Sequence, residues 1–202
     1  MSLTGDISWA ILHDILKDSL GRSLELEGVK SLHGGSMSTT LLLEIKGRQP
    51  VVCKIAPHMV MSQYEYEAYQ LNLLRDWGLP VPEVYACSLA SLERPHSYLL
   101  MQHMPGRSLA EVRENISRDD LNHIQMHLAE IVIALHSRTS LTYKRVNDGG
   151  EQGTSDYVRF FHEIYDPILD DVVSMKMIEP GLRRRILSIH GKLPRLLEHA
   201  DR

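Results

Sequence analysis

Cysteine is scarce in this chain: Cys53 and Cys87 are the only two among 202 residues. Two thiols cannot make a disulfide framework or a four-cysteine zinc site. Long apolar runs are missing too, and no stretch approaches the roughly 18 residues of a membrane-spanning helix. Positive charge is not in excess, with 22 Lys and Arg against 26 Asp and Glu and a formal charge of −4. That balance argues against holding nucleic acid by bulk charge. Met1 to Asp6 lacks the basic segment that opens a secretory signal. These absences make a soluble cytoplasmic protein the expectation, with no nucleic-acid and no membrane partner; they leave oligomeric state open. What is present is enough to build a core: 43% of residues are hydrophobic and 24% charged, in a length that fits one large domain or two small ones.

Along the chain, Trp9, Leu12, Leu16 and Leu20 stand at helical spacing, with Asp6 or Ser8 as cap and Gly21 as stop. From Leu24 to Ala56 the pattern changes to three strands, 24–32, 39–46 and 50–56, joined by short turns at Gly34-Gly35-Ser36 and Gly47–Pro50. Connections this short predict antiparallel pairing. Ser62 with Glu65 three residues later reads as a capping box that opens a helix to about Trp77, stopped by Gly78 and Pro80. Two further short strands follow, 83–87 and 97–101. Beyond them the chain reads as helical. Ser117 and Asp120 cap a helix whose Leu121, Ile124, Leu128, Ile131 and Leu135 form one stripe. A loop at 141–155 precedes two helical segments, 156–176 with a break near Pro167 and 180–199 with Pro194 inside. The composition shift at 104–108 is the expected domain boundary.

Glu67 is the first residue to ask a chemical question. At roughly 100° per residue, Leu71, Leu74 and Tyr64 lie within about 60° of it, so this carboxylate belongs to an apolar stripe. A charge placed there needs a partner. Lys54 is the nearest candidate: in Val51-Val-Cys-Lys-Ile it shares a face with Val52 and Ala56, opposite Cys53 and Ile55. On these two residues alone, a structural salt bridge and a functional pair are both open. The turn His33-Gly34-Gly35-Ser36-Met37-Ser38 adds backbone N–H groups and hydroxyls of the kind that cradle phosphate oxygens. A Gly-Gly pair alone is usually a plain hairpin, and no Gly-x-x-x-x-Gly-Lys-Ser/Thr motif occurs.

The order of these features carries more than any one of them. A Gly-rich hairpin, a lysine on the third strand, a glutamate on the next helix and two more strands make the nucleotide lobe of a kinase-type phosphotransferase. The sequence resembles the aminoglycoside phosphotransferase and choline-kinase-like family, including fructosamine-kinase relatives. The resemblance rests on Gly34-Gly-Ser, Val52-Cys-Lys-Ile, Tyr66-Glu-Ala-Tyr-Gln-Leu-Asn-Leu-Leu, Gly78-Leu-Pro-Val-Pro-Glu-Val and Tyr98-Leu-Leu-Met-Gln-His-Met-Pro-Gly-Arg-Ser-Leu. It covers about residues 28–137 strongly and 156–199 only as helices at the expected place.

That resemblance implies an α+β, kinase-like fold: an antiparallel five-stranded N-lobe with one inserted helix over 1–104, then a partial, mostly helical C-lobe over 105–202. It implies that Lys54 binds the α- and β-phosphates of ATP or GTP and that Glu67 orients it. Gly34, Gly35, Ser36 and Ser38 would form the phosphate loop. Met101 would back the base, with the Gln102 carbonyl and the Met104 amide bonding its edge. The partners implied are a nucleotide and a small-molecule hydroxyl acceptor, such as an aminoglycoside, a sugar or a choline-like alcohol, with Mg²⁺ as the metal.

The family's His-x-Asp-x-x-x-x-Asn element and later metal-binding Asp have no convincing counterpart. His199-Ala-Asp201 matches only three positions and follows no apolar strand. The expectation is a chain cut before its catalytic loop, with no catalytic residue and no metal ligand of its own, and inactive by itself; the Mg²⁺ ligands are expected beyond residue 202. The alternative is a non-catalytic kinase-like module that binds nucleotide or protein. Weaker features have plainer explanations. His123 and His127 have the spacing of a helical metal pair but no third ligand, Arg183-Arg-Arg185 reads as a solvated helix face, and Asp170-Asp171 likewise.

Overall fold

The computed structural model describes residues 7–21, 24–32, 38–57, 62–144, 153–174 and 178–197. The chain divides into two compact units, Met1–Leu135 and His136–Arg202. The last strand of the sheet in sequence ends at Gln102.

The first unit opens with α1, Trp9–Leu20. The Ser8 hydroxyl accepts from the Ile11 amide at its start, and Gly21 ends it in the left-handed region at φ 65°, where its N–H reaches the Lys17 carbonyl. A residue with a Cβ is disfavoured in that conformation. Three strands follow: β1 Leu26–Leu32, β2 Thr39–Ile45 and β3 Val51–Pro57. Helix α2 is described over Ser62–Asp76. Gly78, at φ 78°, turns the chain out of α2. Strands β4, Val84–Ser88, and β5, His96–Gln102, complete a sheet of order β1-β2-β3-β5-β4, every neighbour antiparallel. The expected five-stranded antiparallel sheet with one inserted helix is therefore what forms.

Strand alternation divides the core into two layers. On one face Leu41, Leu43, Cys53, Ile55, Tyr98 and Leu100 pack with Leu12, Ile15 and Leu16 of α1. On the other, Val52, Ala56, Leu99 and Met101 pack with Tyr64 and Ala68 of α2. Strand β5 lies between β3 and β4 and is covered on both faces, which is why Ser97 to Met101 is buried without a break.

A short helix missed by the sequence reading, α3 (Leu109–Val112), is closed by a reciprocal capping box between Ser108 and Glu111. Helix α4, Arg118–His136, begins as expected, with the Ser117 hydroxyl accepting from the Asp120 amide at 3.1 Å. Its stripe is a different matter. No residue of α4 is buried, and Ile124, Leu128 and Leu135 are exposed. The amphipathic period is real, but no described element of the first unit seals that face.

Among its described residues the second unit holds a bridge between Tyr143 and Thr154 and three helices: α5 Tyr157–Ser174, α6 Pro180–His190 and α7 Leu193–Leu197. Two expectations are corrected. Helix α5 runs through Pro167 without the expected break: the ring removes one N–H donor, and the rest of the ladder carries the helix past it. The segment 180–199 is two helices instead of one. It parts at Gly191-Lys192, and Pro194 falls in the first turn of α7, where a missing N–H costs nothing. The only two phenylalanines, Phe160 and Phe161, lie here in a string of rings with Tyr143, Tyr157 and Tyr165, the Phe161 and Tyr165 centroids 4.0 Å apart.

Candidate functional site

The residue that should not sit on a strand amid apolar neighbours is Lys54. It occupies the middle of β3, on the α2-facing side, opposite Thr40 of β2 and Leu99 of β5. Its Nζ donates to Glu67 Oε1 at 2.6 Å. Both side chains are partly withdrawn from water, with 28% and 34% of their surface exposed. The sequence logic explains the meeting. Val52 and Ala56 fix which face Lys54 takes, while Tyr64 and Ala68 press α2 onto that same face, carrying Glu67 with them. An exposed ion pair is worth little. This one is held by packing on both sides, so the ammonium is aimed and not merely neutralised.

Around the pair, the structure separates what the sequence had grouped. Gly34, Gly35 and Ser36 lie outside the described residues. Ser38 is described, immediately before β2, and lies beside Tyr64: burial pushes the Tyr64 phenol up, and the Ser38 hydroxyl acts in the opposite sense. Met101 is buried in the α2-side layer, in register with Val52 and Val84. Gln102 ends β5; its amide donates to the Glu83 carbonyl at 2.8 Å, and its side-chain carbonyl accepts from the Glu83 amide at 3.2 Å. Met104 is half-exposed in the connector that follows. Lys54, Glu67, Ser38 and Met101 thus belong to one side of one sheet, with Gln102 and Met104 where that sheet hands over to helices.

Thr40 is a position the sequence reading missed. The signal was available only through register: once β2 and β3 pair, Thr40 and Lys54 are cross-strand partners on one face. Cys53 is settled the other way. It points into the α1-side core, and burial pushes its thiol up to about 12, so it is no nucleophile.

The donor set decides which groups fit. An ammonium with one N–H committed to a carboxylate keeps two donors, which suits phosphate oxygens. Mg²⁺ needs oxygen ligands in octahedral array. Among the described residues Lys54 is ion-paired with one carboxylate, Glu67, and no group of three His, Cys, Asp or Glu side chains stands beside it to cage a metal by itself.

The sheet, the inserted helix and the buried-strand lysine paired to that helix define a kinase-like fold. Residues 28–163 match the model of the phosphotransferase enzyme family, and the chain belongs to that family. Two solved structures share the fold. One is a protein from Haemophilus somnus 129PT assigned as a fructosamine-3-kinase, at 18% identity and TM-score 0.68, over 96% of this chain and 63% of that one. The other is the streptomycin–ATP–APH(2'')-IIa ternary complex, at 14% identity and TM-score 0.57, over 92% of this chain and 58% of that one. The chain therefore spans less than two thirds of the length of either. No curated protein matches it.

Proposed function

We propose that residues 1–104, with the connector after them, hold the nucleotide in a small-molecule phosphotransferase that moves the γ-phosphoryl group of ATP or GTP to a hydroxyl. The observation that carries the reading is the 2.6 Å Lys54–Glu67 pair between β3 and α2. Lys54 neutralises the α- and β-phosphates and Glu67 fixes its direction. Gly34, Gly35, Ser36 and Ser38 supply the phosphate loop in this reading. Met101 backs the base, and the Gln102 carbonyl and Met104 amide meet its edge. The ATP in the APH(2'')-IIa complex supports ATP as the nucleotide, and streptomycin there supports a polar, hydroxyl-bearing acceptor class.

Phosphoryl transfer is catalysed by positioning and charge neutralisation. Lys54 supplies part of the second. The sequence holds no His-x-Asp-x-x-x-x-Asn element to supply the acceptor base and the Mg²⁺ ligand, and on that ground the expectation for residues 1–202 is nucleotide binding without turnover. The test uses the purified chain with Mg²⁺, ATP or GTP and a panel of aminoglycosides, sugars and choline-like alcohols. The expected result is a nucleotide-dependent rise in melting temperature and no phosphorylated acceptor. Phosphorylation that Lys54→Ala abolishes would overturn the claim of inactivity, and an unmoved melting temperature would overturn the nucleotide site.

A further inference from the structure

The second unit brings together three side chains that the phosphotransferase reading does not use: His162, Asp166 and His190. His162 and Asp166 stand four residues apart on α5, and His190 is the last residue of α6. Asp166 Oδ1 lies 3.0 Å from His162 Nδ1 and 2.7 Å from His190 Nε2. All three donor atoms fall within 4.8 Å of one another, the one such grouping of His, Cys, Asp and Glu among the described residues. The two imidazoles meet edge to face, with centroids 4.9 Å apart. Both are about three-quarters buried while Asp166 stays half-open, so the cluster has a closed side and a water-facing side.

We propose that His162, Asp166 and His190 form a three-ligand site for a divalent transition metal of the zinc type, separate from the nucleotide site. Two imidazole nitrogens and one carboxylate oxygen are a borderline-soft set; it suits Zn²⁺ and its neighbours and not Mg²⁺, which takes oxygen. Zinc bonds of about 2.0–2.2 Å at tetrahedral angles place ligand atoms roughly 3.3 Å apart. The 3.0 and 2.7 Å spacings to Asp166 need to open by about 0.3–0.9 Å and the imidazole nitrogens, within 4.8 Å of each other, to settle at the same separation, changes within reach of side-chain torsions. Three protein ligands leave the fourth position, on the open side beside Asp166, for water or another group.

Protons fit the exchange. Asp166 Oδ1 faces Nδ1 of His162 and Nε2 of His190, each a donor or a lone-pair nitrogen according to the tautomer of its ring. In a neutral imidazole one ring nitrogen carries the proton and the other the lone pair, so a shift of tautomer through solvent turns the facing nitrogen to a metal with no net proton released. An apolar groove of about 350 Å³ lined by Phe161, Tyr165, Ile186 and Ile189 borders His190. It limits water competition from that side. The sequence contains the half-signal His162-x-x-x-Asp166; the third ligand lies 24 residues further on and is brought in only where the end of α6 meets α5.

The test is a calorimetric titration of Zn²⁺ into the chelator-treated full chain, with Mg²⁺ as control. Eleven histidines make stray sites possible, so His123→Ala, in the α4 pair His123/His127, serves as a second control. The expected result is one Zn²⁺ per chain, unchanged in His123→Ala, with affinity lower by at least about tenfold in Asp166→Asn and in His190→Ala, and no Mg²⁺ heat. X-ray absorption of the zinc-loaded wild type, which needs no variant to fold, is expected to show two imidazoles and light oxygen ligands. No stoichiometric zinc binding, equal affinity in Asp166→Asn, or an absorption spectrum without two imidazoles would each overturn the proposal and leave the three side chains as a hydrogen-bonded clamp between helices.

Discussion

If Lys54 and Glu67 form one unit, removing them singly must cost more than their joint removal suggests. The pair is 2.6 Å apart and about a third exposed on each side. Screening over that exposed fraction keeps its worth below that of a fully buried pair, while packing lifts it above the 0.2–1 kcal/mol of surface pairs. Lys54→Met leaves a half-desolvated carboxylate without its cation, which should cost about 2 kcal/mol; Glu67→Gln, which keeps the shape and one acceptor, should cost about 1 kcal/mol. In the double variant no stranded charge remains, so its cost should be about 2 kcal/mol and not the sum, giving a coupling of about 1 kcal/mol. Urea unfolding followed by tryptophan fluorescence is a fitting assay, because Trp9 and Trp77 are the only tryptophans and both lie in the first unit. With an m-value of about 2 kcal/mol/M, the Lys54→Met midpoint falls by about 1 M. Strict additivity, to within about 0.3 kcal/mol, would refute the claim that the two side chains act together.

Other consequences follow from the same architecture. Leu99, fully buried beside Val52 and Met101, should cost about 2–5 kcal/mol as Leu99→Ala in the same urea assay. Ser117→Ala removes the cap of α4 and should lower helicity by circular dichroism, with a cost of about 1 kcal/mol. Burial raises Cys53 from 9.0 to about 12 and Cys87 to about 11, so the fold favours both neutral thiols. Above pH 9 the unfolded chain loses these protons while the folded one keeps them; their contribution is full below pH 9 and is lost as pH rises toward 11–12. Urea midpoints across pH 8 to 10.5 should fall accordingly, and Cys53 should resist thiol reagents at pH 8 until urea is added.

Much of the first unit was legible in the sequence because its signals are local and repeated. Period-two alternation in Val51–Ala56 set Cys53 and Lys54 on opposite faces, and the structure buries Cys53 against α1 while Lys54 meets α2. Glu67 was legible because one charge in an apolar stripe demands a partner. Thr40 was not, since its place beside Lys54 depends on register between strands. The helical half was harder. Amphipathic period marks α4, but period does not say whether anything covers the stripe. Pro167 was read as a break and 180–199 as one helix, yet α5 passes the proline and the chain parts at Gly191-Lys192. The His162–Asp166–His190 cluster is a product of tertiary packing, and only its i, i+4 half is written in the sequence.

The central claim is that Lys54, aimed by Glu67, holds a nucleotide's phosphates. Calorimetric titration of ATP into the wild-type chain and into Lys54→Met tests it most directly. A hydrogen-bonded charge contact of about 1.5–3 kcal/mol corresponds to a loss of roughly 10- to 150-fold. The account predicts measurable ATP binding that falls by at least about tenfold in the variant; equal affinity in the two proteins would contradict it.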